Sequence, residues 1–143
     1  MTNSRRRDPA VIDTDVYSSL LVPGSKLAGR YESLIVGRQT FISFQTEAEI
    51  RFGAQLRGWG PARVLQMETT LAAAEIVYAG PEIVDAYALL RSTCRRTGHP
   101  LAQKVHDADR WVAATALRLG LPLLTNDGIF DDVPGLRVER SAG

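Results

Sequence analysis

Hydrophobic and polar positions alternate along this chain with two different periods. Short apolar runs read as strands: "AVID" (10–13), "QTFISF" (39–44), "AEIVYAG" (74–80), "LPLLTND" (121–127) and "LRVE" (136–139). Between them lie segments with helical spacing and helix punctuation. "KLAGRYESLIVG" (26–37) follows the turn residues Pro23, Gly24 and Ser25. A second helix is expected from Thr46 as N-cap, with Glu49 at the capping-box position. Pro61 and Pro81 take the favoured first position of two more, the second of which stops at Gly98. "HPLAQKVH" (99–106) reads as a loop and "DADRWVAATALRLG" (107–120) as the last helix. Strands separated by helices predict an α/β fold of three layers, a mainly parallel sheet covered on both faces. In such sheets the functional side chains gather at the carboxyl ends of strands, where Asp13 and Asp127 both stand.

Helical phase sorts the remaining acids. Ala48, Phe52 and Leu56 define an apolar face in the second helix, and Glu49 lies roughly 60° from its centre, Glu47 roughly 140°. In the last helix Ala108, Val112, Thr115, Ala116 and Leu119 form the expected buried stripe. Asp109 flanks it at roughly 70° and Asp107 lies roughly 130° away. Glu49 and Asp109 are therefore the acids expected at the edge of a cleft. Taken singly, each acid has an ordinary explanation: Glu49 a capping box, Asp109 a first helical turn, Asp13 a cap for whatever follows the strand. Together they form a group of carboxylates that would repel one another without a hard cation. Oxygen donors suit magnesium or manganese, and no Cys/His set is spaced for zinc. His99 and His106 read as polar loop residues.

Composition adds boundaries. The chain has 143 residues, 45% of them hydrophobic, enough for one domain with a real core. Lys and Arg number 17 against 16 Asp and Glu, so net charge names no partner. The one cysteine, Cys94, excludes an internal disulfide framework and suggests a reducing compartment. It reads as a small buried thiol. No apolar run is long enough for a transmembrane helix, so no membrane partner is expected. The basic start, "SRRRD", has no apolar region after it and reads as a flexible arm over residues 1–9, ahead of a single domain over 10–143.

Three segments, "VIDTDVYSSLL", "ISFQTEAEIRFGA" and "DADRWVAATALRLGLPLLTND", resemble in order and spacing the motifs of PIN-domain ribonucleases. Among these, the VapC toxins of bacterial toxin–antitoxin pairs are the most similar. The resemblance covers about residues 10 to 138, and the third segment is the most specific. It implies a three-layer α/β/α PIN-like domain and a cytoplasmic, magnesium-dependent endoribonuclease in which manganese can substitute. The family's four acids fall on Asp13, Glu49, Asp109 and Asp127, as metal ligands and catalytic groups. Thr14, Asp15 and Thr125 become their polar neighbours; Asp15 stands where the family often has Asn. An acidic site that receives a polyanion needs a basic rim, for which Arg51, Arg95, Arg96, Lys104 and Arg110 are candidates. The resemblance further implies a cognate antitoxin and a homodimer. Tyr17, Leu20, Leu21, Phe52, Leu56 and Trp59 are candidates for such surfaces, with core packing as the alternative.

Two rivals start from the same residues. "DTDV" partly matches the nucleophile motif of haloacid-dehalogenase phosphatases, with Asp131 and Asp132 as a late acidic pair, but Glu49 has no place in that mechanism. A receiver-like module also gathers acids at strand ends, yet it needs a late lysine where "LRVERSAG" offers only arginines. A PIN-like domain that binds RNA without cutting it is the third alternative.

Overall fold

The computed structural model describes residues 8–142. The basic residues Arg5, Arg6 and Arg7, assigned above to a flexible arm, lie outside the described residues. Five strands form one parallel sheet: β1 (Ala10–Ile12), β2 (Thr40–Ser43), β3 (Glu75–Val77), β4 (Leu123–Leu124) and β5 (Val138–Glu139), in the order β3-β2-β1-β4-β5. The register pairs Val11 with Phe41 on one side and Leu123 on the other, so the first strand of the chain is the central one. All three of its residues are buried, as the unbroken apolar run requires of a strand covered on both faces.

Among the described residues six helices cover the sheet: α1 (Thr14–Ser19), α2 (Lys26–Ile35), α3 (Phe44–Leu56), α4 (Pro61–Ala72), α5 (Pro81–Thr97) and α6 (Asp107–Leu119). Two cores result. One lies under α1 to α4 and contains Ile12, Val16, Tyr31, Ile42 and Leu71; the other lies under α5 and α6 and contains Val11, Leu101, Val112, Leu123 and Phe130. Pro61 and Pro81 open their helices, and Gly98 closes α5 with a left-handed φ of 74°. The segment 99–106 is not a plain loop but two short 3-10 turns, Pro100–Ala102 and Lys104–His106.

Three expectations are corrected. Helix α1 was not foreseen; it begins directly after β1, and Asp13 serves as its N-cap by accepting from the Thr14 amide. Helix α3 starts two residues before Thr46, because the Ser43 hydroxyl at the end of β2 already caps it by accepting from the Gln45 amide. No capping box forms at Glu49. The third correction is the phase of α3. Its buried face is Thr46, Ile50, Gly53 and Ala54, whereas Phe52 is 64% and Leu56 70% exposed. Ile50 and Ala54 join Val16 and Tyr17 of α1 in one core cluster, so Ile50, not Phe52, points inward. In α6 the stripe through Val112, Thr115 and Ala116 is buried, but Leu119 is partly exposed and Arg110, Ala113 and Ala114 are buried as well.

Candidate active site

The site begins with a carboxylate that the fold has taken out of water. Asp13 leaves the end of the central strand, where its amide donates to the Leu124 carbonyl of β4 at 2.9 Å. Its side chain is 3% exposed. One oxygen, Oδ1, accepts from the Thr14 amide at 2.7 Å, and Oδ2 accepts from the Thr125 hydroxyl at 2.6 Å. Burial dominates these bonds and raises its carboxyl from 3.8 to about 7; Asp15 and Asp109 push in the same direction.

Thr125 carries the geometry onward. Its hydroxyl donates to Asp13 and accepts from the Asp127 amide at 3.0 Å, so one buried side chain ties the ends of β1 and β4 together. The Thr125 carbonyl in turn accepts from the buried Tyr31 hydroxyl of α2 at 2.9 Å. Asp127 caps the short turn Gly128–Phe130, its Oδ1 accepting from the Ile129 amide at 3.0 Å. Thr14 completes the frame by a 2.9 Å hydroxyl–hydroxyl bond to Thr46, which joins α1 to α3.

The other acids enter from the flanking helices. Asp15 has its carboxyl raised by partial desolvation and then by Asp127 and Asp109. Glu49 is raised by partial desolvation, with Asp109 and Asp15 adding to it against a hydrogen bond from Gln45. Repulsion thus links Asp13 to Asp15 and Asp109, Asp15 to Asp127 and Asp109, and Glu49 to Asp109 and Asp15, across separate elements of the chain. Glu47 and Asp107 take no part. Glu47 is held by Arg51 at 2.9 Å and by the Tyr78 hydroxyl at 3.1 Å. Asp107 accepts from the Tyr87 hydroxyl and meets Arg110 at 3.4 Å. In α3 the two glutamates stand on opposite flanks of the real buried face, roughly 85° and 75° from its centre. Side of the face, not distance from it, separates them.

Among the described residues no three His, Cys, Asp or Glu side chains form a closed coordination set. A magnesium ion does not ask for one. It keeps several waters and takes one or two carboxylates directly, so a fixed Asp13 with further acids around it fits that ion's donor chemistry.

The PIN domain family model matches residues 10–136. This chain belongs to the PIN domain family. Its PIN fold is shared by solved toxin–antitoxin complexes. VapBC2 from Rickettsia felis, bound to a DNA fragment from its promoter, superposes with a TM-score of 0.76 at 19% identity over 93% of this chain and 98% of that one. FitAcB from Neisseria gonorrhoeae gives 0.73 at 26% identity over 90% and 95%. VapBC-5 from Mycobacterium tuberculosis gives 0.63 at 25% identity over 92% and 98%. No curated protein matches the sequence. Family membership displaces the phosphatase and receiver-like readings. Of the phosphatase reading's late acidic pair, Asp131 is bound to Arg140 at 2.9 Å and Asp132 is exposed in a turn.

The basic rim expected of a PIN nuclease needs two corrections. Arg110 is 1% exposed and lies inside the domain, its guanidinium donating to the carbonyls of Leu101 at 2.8 Å and Gln103 at 2.6 Å. It cannot reach RNA. Arg51 is committed to Glu47 at 2.9 Å and Glu68 at 2.8 Å, so its charge is neutralised. Arg95, Arg96 and Lys104 stay exposed at the end of α5 and in the turns that lead to α6, although Arg96 bonds Ser92 and Thr93 of its own helix. Sequence reasoning missed His106, whose Nδ1 lies 3.0 Å from Asp109 Oδ2. The signal was its place three residues before Asp109, just ahead of the helix.

Proposed function

We propose that this PIN domain is a divalent-metal-dependent endoribonuclease and the toxin of a type II toxin–antitoxin pair, acting in the cytoplasm. PIN domains are nucleases. The observation that carries the reading is the buried Asp13, held on both oxygens, with the charges of Asp15 and Asp109 on it and those two acids coupled in turn to Glu49 and Asp127. Such a carboxyl is unfavourable when ionised and alone, and a cation reverses that cost.

The chain's own contribution is fixation. Thr14 and Thr125 lock the Asp13 carboxylate before any ligand arrives, and Thr125 positions the Asp127 backbone with the same hydroxyl. Asp109, Asp127 and Glu49 supply the remaining carboxylates. A divalent ion bound there lowers the pKa of its water and stabilises charge on the phosphoryl oxygens. No side-chain nucleophile is required. Cys94 is buried with its thiol pushed up by that burial, and both nitrogens of His99 are engaged, with the Leu101 amide and the Asp131 carbonyl.

The partner reading is supported by a groove of ≈ 520 Å³ that starts at Thr14 and Glu49 and runs past Leu21, Phe52, Leu56 and Trp59. Phe52 and Leu56 are exposed apolar side chains one helical turn apart, a pattern suited to an apolar protein segment. In this reading an antitoxin lies there with its end at the acids. The homodimer expected from the same resemblance remains part of the proposal. No helix among the described residues is long and apolar enough to cross a membrane.

Purified protein should cleave RNA with magnesium or manganese and stop in EDTA, while p-nitrophenyl phosphate stays intact. Cleavage that persists in EDTA overturns the metal mechanism. Expression of the chain alone should arrest growth, and co-expression of its partner should relieve the arrest; normal growth with soluble, intact protein counts against the toxin reading. Asp109→Asn should lose at least ~10-fold in activity, since even groups that only orient ligands are worth that much. Asp107→Asn should stay within about twofold, because that carboxylate is bound to Tyr87 and Arg110 and not to the acids around Asp13. Equal loss in both would contradict the placement of α6.

A further inference from the structure

His106 occupies the N-cap position of α6 but makes no capping bond with its side chain. Its ring turns instead to the third helical residue. Nδ1 stands 3.0 Å from Asp109 Oδ2, with the two side chains 26% and 31% exposed. Against a carboxylate oxygen the ring nitrogen is the donor. Among the described residues Asp109 Oδ1 takes no hydrogen bond and is left for a ligand. The backbone holds the pair: the His106 amide donates to the Gln103 carbonyl at 3.0 Å, and Gln103 is in turn gripped by the buried Arg110. His106 also lines a hollow of ≈ 540 Å³ together with Asp127.

An acid in the first turn of a helix ordinarily has several rotamers open to it, some reaching back to the free amides of that turn. A donor on one oxygen removes most of them. Carboxylates and imidazoles that bind ions are commonly held this way, by a partner on the atom that the ion does not use.

We propose that His106 is the positioning residue of Asp109, fixing one carboxylate oxygen so that the other meets the divalent ion at the proposed site. The proposal rests on the metal-dependent reading above. It places the imidazole outside the set of ion ligands and gives it no proton to transfer.

The test uses the full chain and magnesium alone. His106→Phe keeps the ring's bulk without the donor, and His106→Ala removes both. His106→Asn returns an N–H near the place of Nδ1. Magnesium affinity is measured by calorimetry and by the rise in melting temperature on titration, beside RNA cleavage. The variants without a donor should bind magnesium about tenfold more weakly. Cleavage by them should approach the wild-type rate at saturating magnesium, and His106→Asn should regain most of the affinity. Should either donor-free variant fail to fold, the other carries the comparison with His106→Asn. Unchanged magnesium affinity in a folded donor-free variant overturns the proposal. So does a loss that His106→Asn does not repair. If the wild-type chain itself neither binds magnesium nor cleaves RNA, the functional reading fails, a result distinct from a wild type that does both beside an unaffected variant.

Discussion

Asp13→Asn is expected to abolish RNA cleavage and yet to make the metal-free protein more stable at neutral pH. Both effects come from one buried carboxyl. Loss of activity should be roughly 10²-fold or more, since residues that merely orient metal ligands cost about 10–100-fold when removed. The stability gain follows from linkage. Burial lifts the Asp13 carboxyl from 3.8 to about 7 in the folded state. The neutral form is therefore favoured by folding and the ionised form is penalised. Stability from this group is complete below about pH 4 and is lost as pH rises through 7. The shift corresponds to at most about 4 kcal/mol, reduced by about 1 kcal/mol where the amide disturbs the Thr125 hydroxyl bond. Urea unfolding without metal from pH 4 to 8 should show a declining wild-type profile and a flatter one for Asp13→Asn. Added magnesium should restore the wild type and leave the variant nearly unmoved. A variant less stable than the wild type at pH 8 without metal would contradict the desolvation of Asp13.

The second large effect is structural. Arg110→Ala should destabilise the domain by about 2–4 kcal/mol, because it takes a donor from a buried carbonyl and empties the space that a buried side chain filled. The Leu101 carbonyl loses its donor, the Gln103 carbonyl keeps only the His106 amide, and Tyr87 and Asp107 lose a neighbour. For a chain of this size the melting temperature should fall by roughly 10 °C. Arg110→Lys keeps the charge but not the planar fork, and should recover only part of the loss. Were Arg110 an RNA contact, as charge alone suggested, the same variant would keep its melting temperature and lose affinity for RNA.

Arg110 shows where sequence reading stops. A guanidinium is ordinarily at the surface, and nothing in "DADRWVAATAL" says that the turns at 100–106 fold back over this one. The strands were legible because parallel strands buried on both faces must be apolar throughout, as Val11, Ile12, Leu123 and Leu124 are. Helices with Pro at the start and Gly at the end were legible for local reasons. Helix α3 was not, because it is apolar on two sides. Ile50 and Ala54 face the core while Phe52 and Leu56 face the groove, and periodicity alone cannot say which is which. Glu49 was singled out from the wrong face; it comes near Asp109 and Asp15 because it flanks the real one on their side. The pairing of Asp109 with His106 was hidden for a similar reason, since a lone histidine ahead of a helix carries no chemistry until its neighbour is placed.

The central position of the first strand has a consequence for how the molecule comes into being. Val11 pairs with Leu123, and the bond from Thr125 to Asp13 spans 112 residues of chain. Contacts so distant in sequence form late, since the entropy of closing such a loop must be met before they can reward it. During vectorial synthesis on the ribosome, Asp13 emerges more than a hundred residues ahead of the threonine that orients it. Until that partner arrives, β1 lacks one neighbour and the acids of the two strand ends remain apart. Until Thr125 has been made, the acids of the two strand ends cannot be brought together, so a nuclease of this design stays silent while the intervening segment is being translated.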